Sequence, residues 1–483
     1  MTPVLIEFIH NFNADERKKM NRFLQSPYFN TDKSIIKLYN LLEKHVSNTP
    51  QLSVEHRTLI YQKIFPKGIV TDHQLNKKQK GVLDATMGKL TALIKTFFTI
   101  ESLDENIAYR NVLLNHKLLK KRHLRPLERH LKKEKKLLEA GQKRGVDYHL
   151  HEYQLEADQL KFFYQDGSII KTDNLPDLIS SLDTYYLIQK LEYQLTAISI
   201  MGVSDKKVYD FDSFDAMSSL LSLPQYAAHP LIQVYQAAIQ MMKTREKYAY
   251  DHLLQLLHKY ESVIPTENLV DFYKIATIFC ARRIREGQPE YHRHAFNLYK
   301  TMKHKNLLLE GSFMPISKLR NIISISCHVG EFEWAKEILE LYRPFIQKQI
   351  QKQIYHFNLG VIAFYQKNYT QAISHFIRVD KVHTDYDINC RVLILKSYYE
   401  LDDEYDERTM QQFRSTKRFI HDNKLLKVND KQGWKNFVNA AANLYKVRHR
   451  YGKIRLETVQ KQIDNFKSIN DKRWLLEKIG EMK

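Results

Sequence analysis

The chain has 483 residues, of which 43% are apolar and 27% are charged, and its formal net charge is +20. Its 14 glycines and 12 prolines are about half the usual ~12% share, which disfavours sandwiches, barrels and Rossmann-type sheets because these folds need glycine at many tight connections. No apolar run approaches the ~18 residues that cross a bilayer. The first residues lack the cations of a secretory signal, and three distant cysteines suit a reducing cytoplasm.

Residues 1–105 are predicted to form an N-terminal helical domain. Asp15 precedes a stretch with apolar residues at helical spacing, and Pro27 ends that helix because proline cannot continue it. A longer pattern of the same period runs from Leu75 to Phe97. A glycine-containing turn between two such helices also suits a helix-turn-helix motif, but short-turned helix pairs are common in every all-α fold.

Residues 106–202 are predicted to form long helices, and they contain the first of two basic segments. Residues 110–145 hold 13 Lys and Arg against three Glu. Pro126 and Gly141 mark the ends of a helix whose leucines fall on one stripe. The cations on the opposite face are Arg129, Lys132, Lys133 and Lys136.

This basic helix has two main interpretations. It is a solvated helix exterior, or it faces phosphates or an acidic partner, since like charges this dense repel one another. No aromatic residue interrupts residues 110–145, so nucleic acid would be contacted through phosphates and not by base stacking. A third role, at an anionic membrane surface, requires exposed leucines, and we expect these to be buried.

Residues 203–228 lose the helical period and are acidic, and we predict a linker there. Residues 229–483 then form helix pairs with a visible repeat. Within 356–379, small residues at Gly360 and Ala372 would let two antiparallel helices approach closely.

The segment 356–379 resembles a tetratricopeptide repeat (TPR), in which a glycine and an alanine hold the places of Gly360 and Ala372. Ala335 lies 37 residues before Ala372, near the ~34 of a standard repeat, while His356 stands where tryptophan is usual. The layout of most of the chain resembles a family of large bacterial TPR-like proteins with no established activity. This resemblance implies an all-α, helical-hairpin solenoid with C-terminal capping helices.

The second basic segment, residues 414–455, holds 12 Lys and Arg against two Asp, and the rest of the chain is neutral. Here aromatic residues are interleaved with the cations, which suits single-stranded nucleic acid because aromatics stack on bases while cations contact phosphates. Phe419, Trp434 and Phe437 fit helical core positions equally well. The densest cations are Lys446, Arg448, Arg450 and Lys453.

No common catalytic signature occurs in the sequence: GxxxxGK[ST], GxGxxG, GxSxG, HExxH and CxxC are all absent. The pairs His149/His151 and His292/His294 would point about 200° apart on a helix, which does not make a ready metal site. We therefore expect no catalytic residue, no metal and no cofactor.

The leading functional hypothesis is a non-catalytic interaction or scaffold protein that binds a protein or peptide partner on its repeat surface. By resemblance to TPRs, the groove-facing residues are Ile354, Phe357, Val361, Phe364 and Tyr365. Such apolar side chains suit an apolar or amphipathic segment, and the alternative for each is packing against the next repeat. The competing hypothesis is a nucleic-acid-binding protein whose two basic segments contact RNA or DNA phosphates.

Overall fold

The computed structural model describes residues 4–46, 53–66, 74–168, 174–201, 217–379, 384–401, 404–423, 426 and 428–483. Within these residues the chain is all-α, with one isolated backbone bridge between Glu310 and Phe313 and no strand, which confirms the predicted fold class at this level. None of the described helices combines the length and apolar character that a membrane span requires.

The chain divides into two compact units, the first comprising Met1–Gly141 and Asp147–Tyr185 and the second Gln142–Val146 and Tyr186–Lys483. The predicted division into four regions stays a prediction, and residues 203–216 of its linker lie outside the described residues. The helices up to the second unit are α1 (Val4–Asn11), α2 (Ala14–Gln25), α3 (Lys33–Val46), α4 (Val54–Ile64), α5 (Lys77–Glu105), α6 (Ile107–Lys120), α7 (Leu124–Glu139), α8 (Val146–Asp166) and α9 (Leu175–Met201).

Helix starts in the first unit are fixed by side-chain caps. Asn13 accepts hydrogen bonds from the backbone N–H groups of Asp15 and Glu16, and the Glu16 carboxylate accepts the N–H of Asn13 in return. This reciprocal capping box satisfies backbone donors that have no partner within the helix. Helices α1–α5 then bury an apolar core that includes Leu24, Leu38 and Leu90.

The second unit continues from the end of α9 through a longer series of helices. These are α10 (Ser218–Leu221), α11 (Pro224–Ala227), α12 (Pro230–Thr244), α13 (Lys247–Lys259), α14 (Thr266–Arg285), α15 (Tyr291–His304), α16 (Ile316–His328), α17 (Phe332–Tyr342), α18 (Gln351–Tyr365), α19 (Tyr369–Ile377), α20 (Thr384–Leu401), α21 (Glu407–Asp422), α22 (Val428–Arg448), α23 (Leu456–Asn465) and α24 (Lys472–Glu481).

Neighbouring helices of the second unit pack consecutively. The pairs α12–α13, α14–α15, α16–α17 and α18–α19 each form a hairpin, and first helices also pack side by side, α12 with α14 and α16 with α18. The turn inside the hairpin contains a residue with positive φ, such as Gly330 at 80° and Lys367 at 61°. Consecutive packing agrees with the repeat pattern, while the assignment to TPRs stays a prediction.

The hairpin α18–α19 owes its close packing to a glycine. A Cβ atom added at Gly360 would lie 2.6 Å from the ring of Phe376, well inside van der Waals contact. Ala335 and Ala372, which mark the second helices of two successive hairpins, are both fully buried. Small residues at these places therefore set how closely the two helices of a hairpin approach.

Candidate partner-binding site

The five residues predicted to face a groove divide into two groups. Ile354, Phe357 and Val361 are 0%, 2% and 5% exposed and belong to the apolar core of the second unit. Phe364 and Tyr365 are half-buried and line a pocket. The assignment of all five residues to a partner-binding surface stays a prediction. Of the five, only Phe364 and Tyr365 offer side-chain area to a ligand.

The pocket beside Tyr365, which we call the charged pocket, has a volume of about 370 Å³ and involves α18, α20 and α24. Two nearly buried lysines stand in it with carboxylate partners: Lys396 pairs with Asp471, and Lys478 lies 2.6 Å from Glu400. Because each ammonium group already has an anion beside it, the pocket is internally neutralised and offers little free charge to a ligand.

His328 forms one wall of the charged pocket and is held as a neutral ring. Its Nδ1 lies 2.8 Å from the Ser324 carbonyl oxygen, which can only accept, so Nδ1 carries the hydrogen. Nε2, 3.1 Å from the Tyr365 hydroxyl, is then the acceptor. Desolvation lowers the pKa of His328, and the ring of His292 stacks on it at 4.5 Å. Both ring nitrogens are therefore engaged within the protein, and the proton that Nε2 faces is that of the Tyr365 hydroxyl.

A second pocket, which we call the apolar groove, lies between α9, α12 and α14 and has a volume of about 480 Å³. Its walls carry half-buried or exposed isoleucines, and the buried ring of Tyr235 lines it as well. The isoleucines are Ile200, Ile275 and Ile278. A concave, mainly apolar surface of this volume is typical of ligand and peptide sites.

Two carboxylates, Glu192 and Asp271, line the apolar groove with a single lysine, Lys274. Both carboxylates act on the hydroxyl of Tyr235: burial first, and Glu192 next, raise its pKa. Desolvation also raises the pKa of Asp271, which makes no ion pair within the described residues. In a chain with a net charge of +20, this groove is locally acidic.

Sequence reasoning missed the apolar groove. Asp271, Ile275 and Ile278 follow one another at intervals of four and three residues, which places them on one face of α14. That spacing is visible in the sequence, but it is also the spacing of core residues. Only the structure separates the half-exposed isoleucines from the buried Phe272 beside them.

The predicted basic helix is confirmed as α7, with Pro126 as its third residue and not its first. Leu127 and Leu131 are buried, whereas all four predicted cations are exposed. Lys132 lies 2.7 Å from Glu128. The other three cations make no ion pair within the described residues: Arg129, Lys133 and Lys136.

The inner side of α7 is polar as well as apolar. Glu134 is 3% exposed and accepts hydrogen bonds from Asn115 at 2.9 Å and His151 at 3.3 Å. Burial alone would raise the pKa of Glu134, but these hydrogen bonds outweigh it and lower the pKa. Lys135 similarly reaches the buried Glu156 at 2.8 Å. The basic helix is thus anchored to its unit through carboxylates, while its outer cations remain in solvent.

The cations predicted in the second basic segment have different roles. Arg448 is exposed but already engaged within the chain: its Nη1 donates to the Tyr399 carbonyl oxygen at 2.6 Å, and its guanidinium carbon lies 5.2 Å from the Tyr399 ring centroid. Lys446 is half-buried, whereas Arg450 and Lys453 are exposed. The segment therefore offers fewer free cations than its charge count indicates.

The histidine pairs take part in packing and polar contacts. His149 and His151 contact different carboxylates, Glu152 at 3.2 Å and Glu134 at 3.3 Å. Across the described ranges, no group of three or more His, Cys, Asp and Glu is arranged to hold a metal ion. All three cysteines are buried, which raises the pKa of each thiol to about 12 and disfavours a reactive thiolate.

No protein-family model matches the chain, and no curated protein matches it either.

Proposed function

We propose that the protein is a non-catalytic interaction or scaffold protein, in which α9 and a TPR-like array within residues 229–483 together form a binding surface for a protein or peptide partner. The single observation that carries the proposal is the apolar groove. It leaves Ile200, Ile275 and Ile278 accessible between first helices that pack side by side, at a place where a docked segment would bury them.

The occupant is an amphipathic helix that carries a lysine or arginine beside its apolar face. Ile200 alone is 49% exposed, so covering the groove removes apolar area from water, at about 25 cal/mol per Å². The cation pairs with Asp271, whose carboxylate has no ion-pair partner within the described residues. An apolar helix without a cation would leave that carboxylate desolvated and unpaired.

Selection from a displayed library of helical peptides tests this proposal. Binders of the full chain are expected to have apolar residues at i, i+3/i+4 and i+7 spacing, together with Lys or Arg. Ile200→Asp is expected to weaken the selected peptides at least tenfold. Asp271→Asn is expected to weaken cationic binders selectively, because it removes the charge but keeps the shape.

The matched control is Leu341→Asp, since Leu341 is 47% exposed on α17, outside the groove. It should leave affinity unchanged. Equal affinity of the selected peptides for wild type and Ile200→Asp would show that they do not bind in the apolar groove. A selection that yields only acidic peptides would contradict the stated occupant.

A second candidate function is nucleic-acid binding by the outer face of α7. The observation that favours it is the set of exposed cations without ion pairs, Arg129, Lys133 and Lys136. Each duplex phosphate that they neutralise should add about −0.9 to the slope of log affinity against log salt. Three contacts therefore predict a slope near −3.

Reversing the charges of Arg129, Lys133 and Lys136 to glutamate tests this candidate in a salt titration with duplex RNA and DNA. The control reverses three other exposed lysines of the first unit, Lys77, Lys78 and Lys80. Loss of binding and of salt dependence only in the α7 variant supports the candidate. Equal losses in both variants indicate a diffuse charge effect and remove α7 as the site.

A further inference from the structure

Arg282 lies in the last turn of α14, and its side chain is largely buried. The residue is 9% exposed. Its Nε and Nη2 atoms are fully buried and have no hydrogen-bond partner within the part of the chain that the structure describes. A desolvated guanidinium without an anion is costly, because its attraction to a counter-charge is what normally offsets the loss of hydration.

The charges around Arg282 are mostly of its own sign. Arg245 and Arg285 both lower its pKa, after the larger effect of desolvation, and Glu286 acts in the opposite direction. Glu286 is already engaged, since its carboxylate lies 3.2 Å from Arg245 and 2.8 Å from Arg283. Four arginines therefore share one carboxylate.

The two unpartnered atoms of Arg282 are the ones that form the fork of a guanidinium. Nε–H and Nη2–H lie on the same edge and point in parallel, which matches the two oxygens of a carboxylate or phosphate. A lysine in place of the arginine would lose this match, because its ammonium group is a point charge. A chloride ion in place of the oxyanion would lose it as well, because chloride lacks the two oxygens. Arg283 also has a buried Nε without a partner.

We infer that Arg282, with Arg245 and Arg285 beside it, is an oxyanion-binding site that takes a phosphate or carboxylate group in bidentate contact. The site lies at the end of α14, where Arg285 and Glu286 are exposed, and binding requires side chains on that side to move, because Nε and Nη2 are fully buried. The carbonyl end of a helix carries about half a negative charge, which the surrounding arginines outweigh.

This site is separate from the proposed partner groove in its chemistry. Arg282 follows Ile278 by four residues, about 6 Å along the helix axis, but the groove is acidic and apolar whereas this site is cationic. The inference does not depend on the proposed function, because an anion would bind here whether or not a peptide occupies the groove.

Calorimetric titration of the full chain with inorganic phosphate, with acetate and with chloride at constant ionic strength tests the inference. Phosphate or acetate is expected to bind with one-to-one stoichiometry, and chloride is not. Arg282→Lys keeps the charge but loses the fork, so at least tenfold weaker binding is expected. Arg282→Met removes both and should abolish binding.

Far-UV circular dichroism and urea unfolding accompany each variant. Arg282→Met is expected to be at least as stable as the wild type without an oxyanion, because an unpaired buried charge has been removed. The control is Arg293→Gln, since Arg293 is exposed and paired with Glu331 at 2.8 Å, and it should bind like the wild type.

Three results overturn the inference: no oxyanion binds the wild type, Arg282→Lys binds as tightly as the wild type, or Arg293→Gln loses binding equally. If Arg282→Met does not fold, Arg282→Lys decides the question alone. Binding of phosphate without acetate assigns a phosphate site, and binding of acetate without phosphate assigns a carboxylate site.

Discussion

Two pockets of the second unit, the charged pocket and the apolar groove, differ in how far their side chains are already paired within the protein. In the charged pocket, Lys396 and Lys478 stand against Asp471 and Glu400, and the polar atoms of His328 are engaged by Ser324 and Tyr365. In the apolar groove, isoleucines are half-exposed and Asp271 has no ion-pair partner among the described residues. Both pockets are lined by first helices of hairpins.

The difference shows that a place on the first helix of a hairpin does not decide whether a side chain is available to a partner. Tyr365 lies at the end of a first helix, but Asp471 at the start of α24 and Glu400 of α20 reach the same pocket and supply the charges that neutralise its lysines. The groove-lining isoleucines have no comparable cover within the described chain. We therefore expect a partner to bind in the apolar groove, and we expect the charged pocket to have a structural role.

The largest predicted effect is the difference in unfolding free energy between a substitution in the core and one in the apolar groove. Phe357→Ala should lower the free energy of unfolding by about 3–5 kcal/mol, because a buried ring leaves a cavity. Ile278→Ala should cost no more than about 1 kcal/mol, since this side chain is only half-buried and loses less burial. Urea unfolding followed by circular dichroism measures both. Equal losses would mean that the groove is part of the core.

The second prediction concerns the hairpin that carries the charged pocket. Gly360→Ala should destabilise by about 1–3 kcal/mol, because the new methyl group would overlap the Phe376 ring. The matched control is Gly81→Ala, in α5, where nothing lies within 4 Å of an added Cβ. There alanine should stabilise by up to about 1 kcal/mol. Stabilisation by both substitutions would contradict the close packing of α18 and α19.

The charged pocket should also respond to acid. Because the pKa of His328 is lowered in the folded state, the unfolded chain takes up a proton at a higher pH than the folded chain. The contribution of His328 to the free energy of unfolding is then fully present above the ordinary pKa of about 6.5, and it is lost as the pH falls through the pKa of the folded state. Unfolding at pH 7.5 and pH 5.5 measures the loss.

His328→Gln should reduce this acid sensitivity without removing it, since desolvation also lowers the pKa of His356 and His375. If wild type and His328→Gln lose the same stability between the two pH values, burial does not keep this ring neutral in the folded chain.

The smallest effect is expected at the hairpin turns. Lys367 has a φ of 61°, a left-handed conformation that costs a side-chain-bearing residue about 1 kcal/mol and costs glycine little. Lys367→Gly should therefore stabilise by about that amount, and Gly330→Ala should destabilise by a similar amount. Thermal unfolding of the two variants checks both signs. Stabilisation by Gly330→Ala would contradict the shared turn geometry.

Periodicity predicted the helices well because it reports which face of a segment is apolar. It found α7 and its exposed cations, and it found the small residues Gly360 and Ala372 that bring two helices together. It could not rank apolar residues by exposure, since Phe357 and Ile278 have similar sequence surroundings. The difference between them depends on which later helix covers them.

Charge counting had the same limit. Both basic segments carry a similar excess of cations, but Arg448 donates to a backbone carbonyl group, while Arg129 and Lys136 stay free of ion pairs within the described chain. The pairing of an arginine with a carbonyl group several helices away leaves no trace in local sequence.

The most direct test of the central claim is site-specific photocrosslinking with the selected helical peptides. A photoreactive phenylalanine replaces either Ile275, in the apolar groove, or Phe364, in the charged pocket, and crosslinked peptide is measured by mass spectrometry. We predict crosslinks from position 275, competed by unlabelled peptide, and none from position 364. Crosslinks from position 364 alone would contradict the account and place the partner beside Tyr365.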